Sequence, residues 1–156
     1  MFNATHHLKT IQALAALVLL VSAAIGAYIL ATDSYLWAQA PTHAYGLIAF
    51  VVLDLVLVAG LWWKPRLSAI GIALLALVQL GAMGADAFIG ASTFGQTSSG
   101  AQSAFQQHLL NDAAFMTLLG IQVVLIIIGI VAFMMDRRTP KMSPMPQSAP
   151  ATPKPA

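Results

Sequence analysis

The chain of 156 residues has no cysteine and no glutamate. Without a thiol it cannot form a disulfide, a thiolate metal site, an iron–sulfur cluster or a cysteine nucleophile. Charge of either sign is scarce. Asp, Lys and Arg together make up 8% of the chain, against about 25% in a soluble domain. So little charge cannot coat a globule. The seven basic residues occur in ones and twos beside apolar runs, which excludes the basic face that a nucleic-acid partner requires. No Gly-rich phosphate loop, Ser/His/Asp triad or paired-carboxylate constellation is present, so no catalytic residue is assigned and the chain does not read as an enzyme. There is also no convincing internal repeat.

Proline is absent where it would do most harm. All eight prolines fall outside four long apolar runs at 10–31, 43–63, 67–90 and 113–135. A proline inside a helix removes a backbone bond and clashes with the preceding turn. The shortest run, 43–63, spans about 31 Å at ~1.5 Å per residue, enough for a ~30 Å hydrocarbon core. With 59% hydrophobic residues and a mean hydropathy of +0.82, the chain is expected to be an all-α membrane protein, a four-transmembrane-helix antiparallel bundle. Its expected divisions are a leader at 1–9, a transmembrane domain at 10–135 and a disordered, Pro-rich tail at 136–156. A cleaved signal peptide is the competing reading of the N-terminus, since Ala38-Gln39-Ala40 resembles a cleavage site. The first run is longer than the about 7–15 apolar residues of a signal peptide. The loop at 32–42 and the connection at 91–112 lack Lys and Arg, and 101–110 within the latter is expected to form a short interfacial helix.

Charge sets the expected orientation. In a four-span chain Lys9, Lys64, Arg66, Arg137, Arg138, Lys141 and Lys154 all fall on one side. Cytoplasmic segments carry the excess of Lys and Arg, so both termini are expected in the cytoplasm of a multi-pass cell-membrane protein. The aromatics agree: Tyr28, Tyr35, Trp37 and Tyr45 lie near the outer boundary, Trp62 and Trp63 near the inner one, as interfacial belts do.

Depth along the helices singles out four polar residues. Asp54 is ten residues from Lys64, Gln79 thirteen from Arg66, Gln122 fourteen from Asp136 and Ser22 thirteen from Lys9. At ~1.5 Å per residue each lies about 15–21 Å from the cytoplasmic end, near the midplane. Unpaired polar groups are costly in lipid, so the four are expected to face one another. An ionised aspartate at the centre of a span costs about 2.5–3.5 kcal/mol on insertion scales. Asp54, with Gln79 and Gln122, is therefore either a proton-exchanging or cation-binding group linked to transport, or a neutral acid bonding helices together.

A second set lies at the outer boundary, where His43, Asp86, His108, Asp112 and Asp33 can converge. Two imidazoles with the Asp86 carboxylate can ligate a metal ion, and two histidines can ligate haem. The plainer reading is interfacial polarity, with His43 and Asp112 at helix starts. His6 and His7 read as solvated. Small residues four apart, at Ser22/Gly26, Ala23/Ala27, Ala69/Ala73 and Gly81/Ala85, permit close helix approach.

Three functional readings follow. The leading one is a non-catalytic accessory subunit of a larger, energy-transducing membrane complex, requiring no cofactor. Its partners would be the lipid bilayer and other membrane subunits or further copies of itself. The alternatives are a small proton-coupled carrier using Asp54 and an outer-face haem or metal protein using His43 and His108.

Overall fold

The computed structural model describes residues 4–89 and 99–138. The expected tail from 139 onward and the connection at 90–98 lie outside the described residues. Within them the chain is all helical. The elements are α1 (Ala4–Thr32), α2 (Ser34–Gln39), α3 (Pro41–Trp63), α4 (Pro65–Gly84, continued by a π-helical turn at Ala85–Ile89), α5 (Ser99–Asn111) and α6 (Ala113–Arg138). Four segments are long and apolar enough to cross a membrane: Lys9–Thr32, Pro41–Trp63, Pro65–Ile89 and Ala113–Met135. They coincide with the four apolar runs to within a few residues.

Three boundaries differ from the sequence reading. α1 begins at Ala4, inside the expected leader, because nothing in Ala4–Lys9 breaks a helix. α6 runs on through Asp136, Arg137 and Arg138, three residues into the expected tail, and the first proline arrives only at Pro140. The expected loop at 32–42 holds the six-residue helix α2. Asp33 caps that helix, its Oδ1 accepting from the Leu36 N–H at 2.9 Å. Trp37 Nε1 ties it back, donating to the Leu30 carbonyl at 2.8 Å. The short helix expected at 101–110 is present as α5, two residues longer at its start and one at its end.

Pro41 and Pro65 are the first residues of α3 and α4. At that position the missing N–H costs no hydrogen bond and the fixed φ favours helix entry. Lys64 alone joins α3 to α4, its N–H donating to the Gly60 carbonyl at 2.8 Å. Ala40 alone joins α2 to α3. Among the long helices α1 packs on α3 and α6, and α4 packs on α3 and α6, so the contacts close a ring. α5 lies against the π-helical end of α4 and the start of α6.

Two apolar cores result. One, toward Lys64, gathers Ala15, Leu19, Leu61, Ile72, Leu125 and Ile128. The other, toward α2 and α5, gathers Ile29, Leu36, Met83, Leu109, Phe115 and Leu118. α6 comes up against the backbone of α4. A Cβ on Gly129 would meet the Ala69 carbonyl oxygen and the Ala73 nitrogen, both at 2.9 Å. The small pair Ala69/Ala73 thus admits α6. Gly26 faces the side-chain ends of Leu47 and Val51 of α3. Gly81 is exposed with open space around it, so the Gly81/Ala85 spacing marks no helix contact at Gly81.

Candidate functional site

Between the two cores lies a single polar layer. α1, α3, α4 and α6 contribute Ser22, Asp54, Gln79 and Gln122 respectively, at 2%, 3%, 2% and 0% exposure. These are the four residues that depth along the helices selects. Gln122 Nε2 donates to Ser22 Oγ at 3.2 Å. Ser22 also lines a small cavity at the Asp54 carboxyl. Gln79 Nε2 donates to Asp54 Oδ1 at 3.3 Å. The two bonded pairs, Gln79–Asp54 and Gln122–Ser22, lie side by side and draw on all four long helices. Gln122 Oε1 is buried without a hydrogen-bond partner among the described residues.

The Gln79 amide donor points at Asp54, which suits a carboxylate acceptor. A side-chain amide carries both an acceptor and donors. Turning the Gln79 amide over would present Oε1 to a protonated Asp54, and turning Gln122 would offer its unused Oε1 to the Ser22 hydroxyl. Both protonation states can therefore be hydrogen-bonded without moving a helix. Beside Asp54, Ser22 and Gln79 lies a cavity of about 10 Å³, about enough for one water.

The second expected cluster lies at the α2/α5 end, and the structure divides it into two pairs. His43 Nε2 is 3.2 Å from Asp86 Oδ2. That contact is not aligned as a hydrogen bond, so the buried Nε2 has no such partner among the described residues. His108 Nε2 is bonded instead to Asp33 Oδ2 at 2.8 Å. The trio His43, His108 and Asp86 is thus not one ligand set. Among the described residues no group of three or more such side chains is placed to hold a metal ion. Asp112 stands at the start of α6, its Oδ1 accepting from the Ala114 N–H at 2.8 Å.

Aromatic rings, Tyr35 among them, knit this end together. Tyr35 lies against His108 with centroids 4.5 Å apart, and Phe105 lies 5.2 Å from His43 and 6.5 Å from Tyr35. α5 is therefore fastened to α2 and α3 by rings as well as by the His108–Asp33 bond.

Beneath α5 is a pocket of about 140 Å³. Its floor is formed by Leu47, Phe50 and Met83, and the same three residues roof the small cavity at Asp54. One layer of apolar side chains separates the two spaces. The signal for this septum was in the sequence: 47, 50 and 54 recur at three- and four-residue intervals and so share one face of α3. Seeing its significance required Met83 from α4.

No protein-family model, curated protein or solved structure matches this chain. Its function is therefore argued from its own geometry.

Proposed function

We propose that the chain is a small integral protein of the cell membrane, an antiparallel bundle of four spans with both termini cytoplasmic. In this reading Asp54 exchanges a proton with the α2/α5 side and couples that exchange to movement of a small solute. The orientation rests on Lys9, Lys64, Arg66, Arg137 and Arg138 at one end of the helices and on the absence of Lys and Arg from 10–63 and 67–136. The observation that carries the function is the shared wall of Leu47, Phe50 and Met83 between the outer pocket and the cavity at Asp54. It leaves the midplane carboxyl one side-chain layer from an outer chamber, while the core of Leu61, Ile72, Leu125 and Ile128 closes the cytoplasmic side. An ionisable residue inside a membrane span is costly and marks a functional site by default.

The test is infrared difference spectroscopy on the full chain reconstituted in lipid, across a pH step in the outer solution. A carboxylic-acid carbonyl band that responds to the step and is missing in Asp54→Asn is the expected result. A spectrum identical in wild type and Asp54→Asn would remove the reading. Thermal unfolding of the variant in detergent serves as the folding control.

A second reading, an accessory subunit of a larger membrane assembly, is favoured by one observation. Only 17% of the apolar window of α3 is buried, against 39% for α1 and 33% for each of α4 and α6. Its uncovered face suits a neighbouring subunit, and lipid covers such a face equally well. Purification from the native membrane in mild detergent separates the two: a stoichiometric co-eluting protein supports the subunit, and elution of this chain alone removes it.

A further inference from the structure

The pocket beneath α5 has the chemistry of a cation site. Its walls are largely apolar and include the rings of Phe50, Phe105 and Phe115. Three carboxylates, Asp33, Asp86 and Asp112, also line it, and neither Lys nor Arg does. With histidine neutral, these are the only formal charges in the lining. Each carboxylate is engaged on one side: Asp33 by His108 and the Leu36 N–H, Asp86 by the nearby His43, Asp112 by the Ala114 N–H. A carboxylate offers about four lone-pair positions, so each can accept further donors. His43 also lines this space, and its Nε2 is buried without a hydrogen bond among the described residues.

We propose that this pocket binds a small organic monocation, an ammonium group carried on an apolar body about the size of benzene. The volume of about 140 Å³ compares with the ~150 Å³ apolar cavity that accepts benzene in other proteins. The rings attract a cation through their faces, and more strongly where water is excluded. The carboxylates supply the countercharge in surroundings that screen it poorly. A bare metal ion fits less well, because no three ligating side chains are grouped for it among the described residues. The proposal names a solute class for the carrier reading and rests on it for its biological meaning. Binding itself does not require Asp54, which lies on the far side of the septum.

The probe is benzylammonium, with benzyl alcohol as its uncharged analogue, titrated calorimetrically into the full chain in detergent. One saturable site for benzylammonium is expected, at least about tenfold tighter than for benzyl alcohol. Asp86→Asn is expected to weaken benzylammonium by about tenfold or more and to leave benzyl alcohol unchanged. Equal affinity for the two probes, no saturable binding, or an Asp86→Asn variant with wild-type affinity overturns the proposal. Should Asp86→Asn fail to fold, Phe105→Leu keeps apolar volume and removes a ring face. It is expected to weaken benzylammonium about fivefold, and unchanged affinity would overturn the proposal. Asp54→Asn is expected to keep benzylammonium binding while losing the infrared band, so the pocket and the proton-exchange reading fail by different measurements.

Discussion

Gln79 Nε2 lies 3.3 Å from Asp54 Oδ1 across the contact between α3 and α4, two helices whose chain connection is Lys64 alone. The bond sits about ten residues from Lys64 on one helix and thirteen from Arg66 on the other, between side chains almost wholly buried and so away from competing water. Beside it Ser22 and Gln122 join α1 to α6.

The first prediction concerns that second pair. Ser22→Ala deprives the Gln122 amide of its acceptor. Stranding a buried polar group costs about 1–3 kcal/mol, and thermal unfolding in detergent should register a loss of that size. The double variant Ser22→Ala/Gln122→Leu removes the stranded amide as well and should regain part of the loss. Strictly additive losses would mean that the two side chains are not coupled.

The second concerns the α4–α6 contact. Gly129→Ala places a methyl against backbone atoms of Ala69 and Ala73, atoms that cannot swing aside as a side-chain end would. A loss of about 1–3 kcal/mol is expected, as for other overpacked sites. Gly81→Ala, with open space around it, should be neutral or slightly stabilising, since alanine is the better helix former by roughly 1 kcal/mol. Equal effects at the two positions would contradict the packing described for α6.

A third follows from the fastening of α5. His108→Ala removes the bond to Asp33 and the ring contact with Tyr35. Hydrogen exchange of α5 amides should rise on the order of tenfold, matching the loss of about one well-placed hydrogen bond to a charged group. Amides in the middle of α1 should not change. Uniform acceleration throughout the chain would instead indicate general destabilisation.

The fourth tests orientation and exploits the absence of native cysteine. Single cysteines at Gln107, exposed on α5, and at Lys64, exposed at the α3–α4 link, should react with a membrane-impermeant maleimide from opposite sides of an intact cell. Gln107→Cys should label from outside. Labelling of both from one side would reverse or break the four-span topology.

Much of the site was legible because depth in a membrane is a linear measure. Counting from Lys64, Arg66, Asp136 and Lys9 put Asp54, Gln79, Gln122 and Ser22 at similar heights, and apolar surroundings leave such groups little choice except each other. The α2/α5 end was less legible. His43, Asp86, His108 and Asp33 were at the right height, but which histidine meets which carboxylate depends on how α5 and α2 fold over the ends of the long helices. His108 and Asp33 are 75 positions apart, and nothing periodic connects them. α2 itself was missed because six residues carry too little pattern to register. Its cap, Asp33, reads equally well as a loop residue.

The polar layer also has a bearing on assembly. α6 offers Val123, Ile127 and Ile130 outward and Leu125 and Ile128 inward, with little beyond size to tell one height from another. A sequence so uniformly greasy could slide past its neighbours by a turn, about 5.4 Å, at little cost in packing. Such a slip would part Gln122 from Ser22 and strand the amide in hydrocarbon. Four small hydrogen-bonding side chains thus act as an indexing pin, locking otherwise interchangeable rods at one vertical offset.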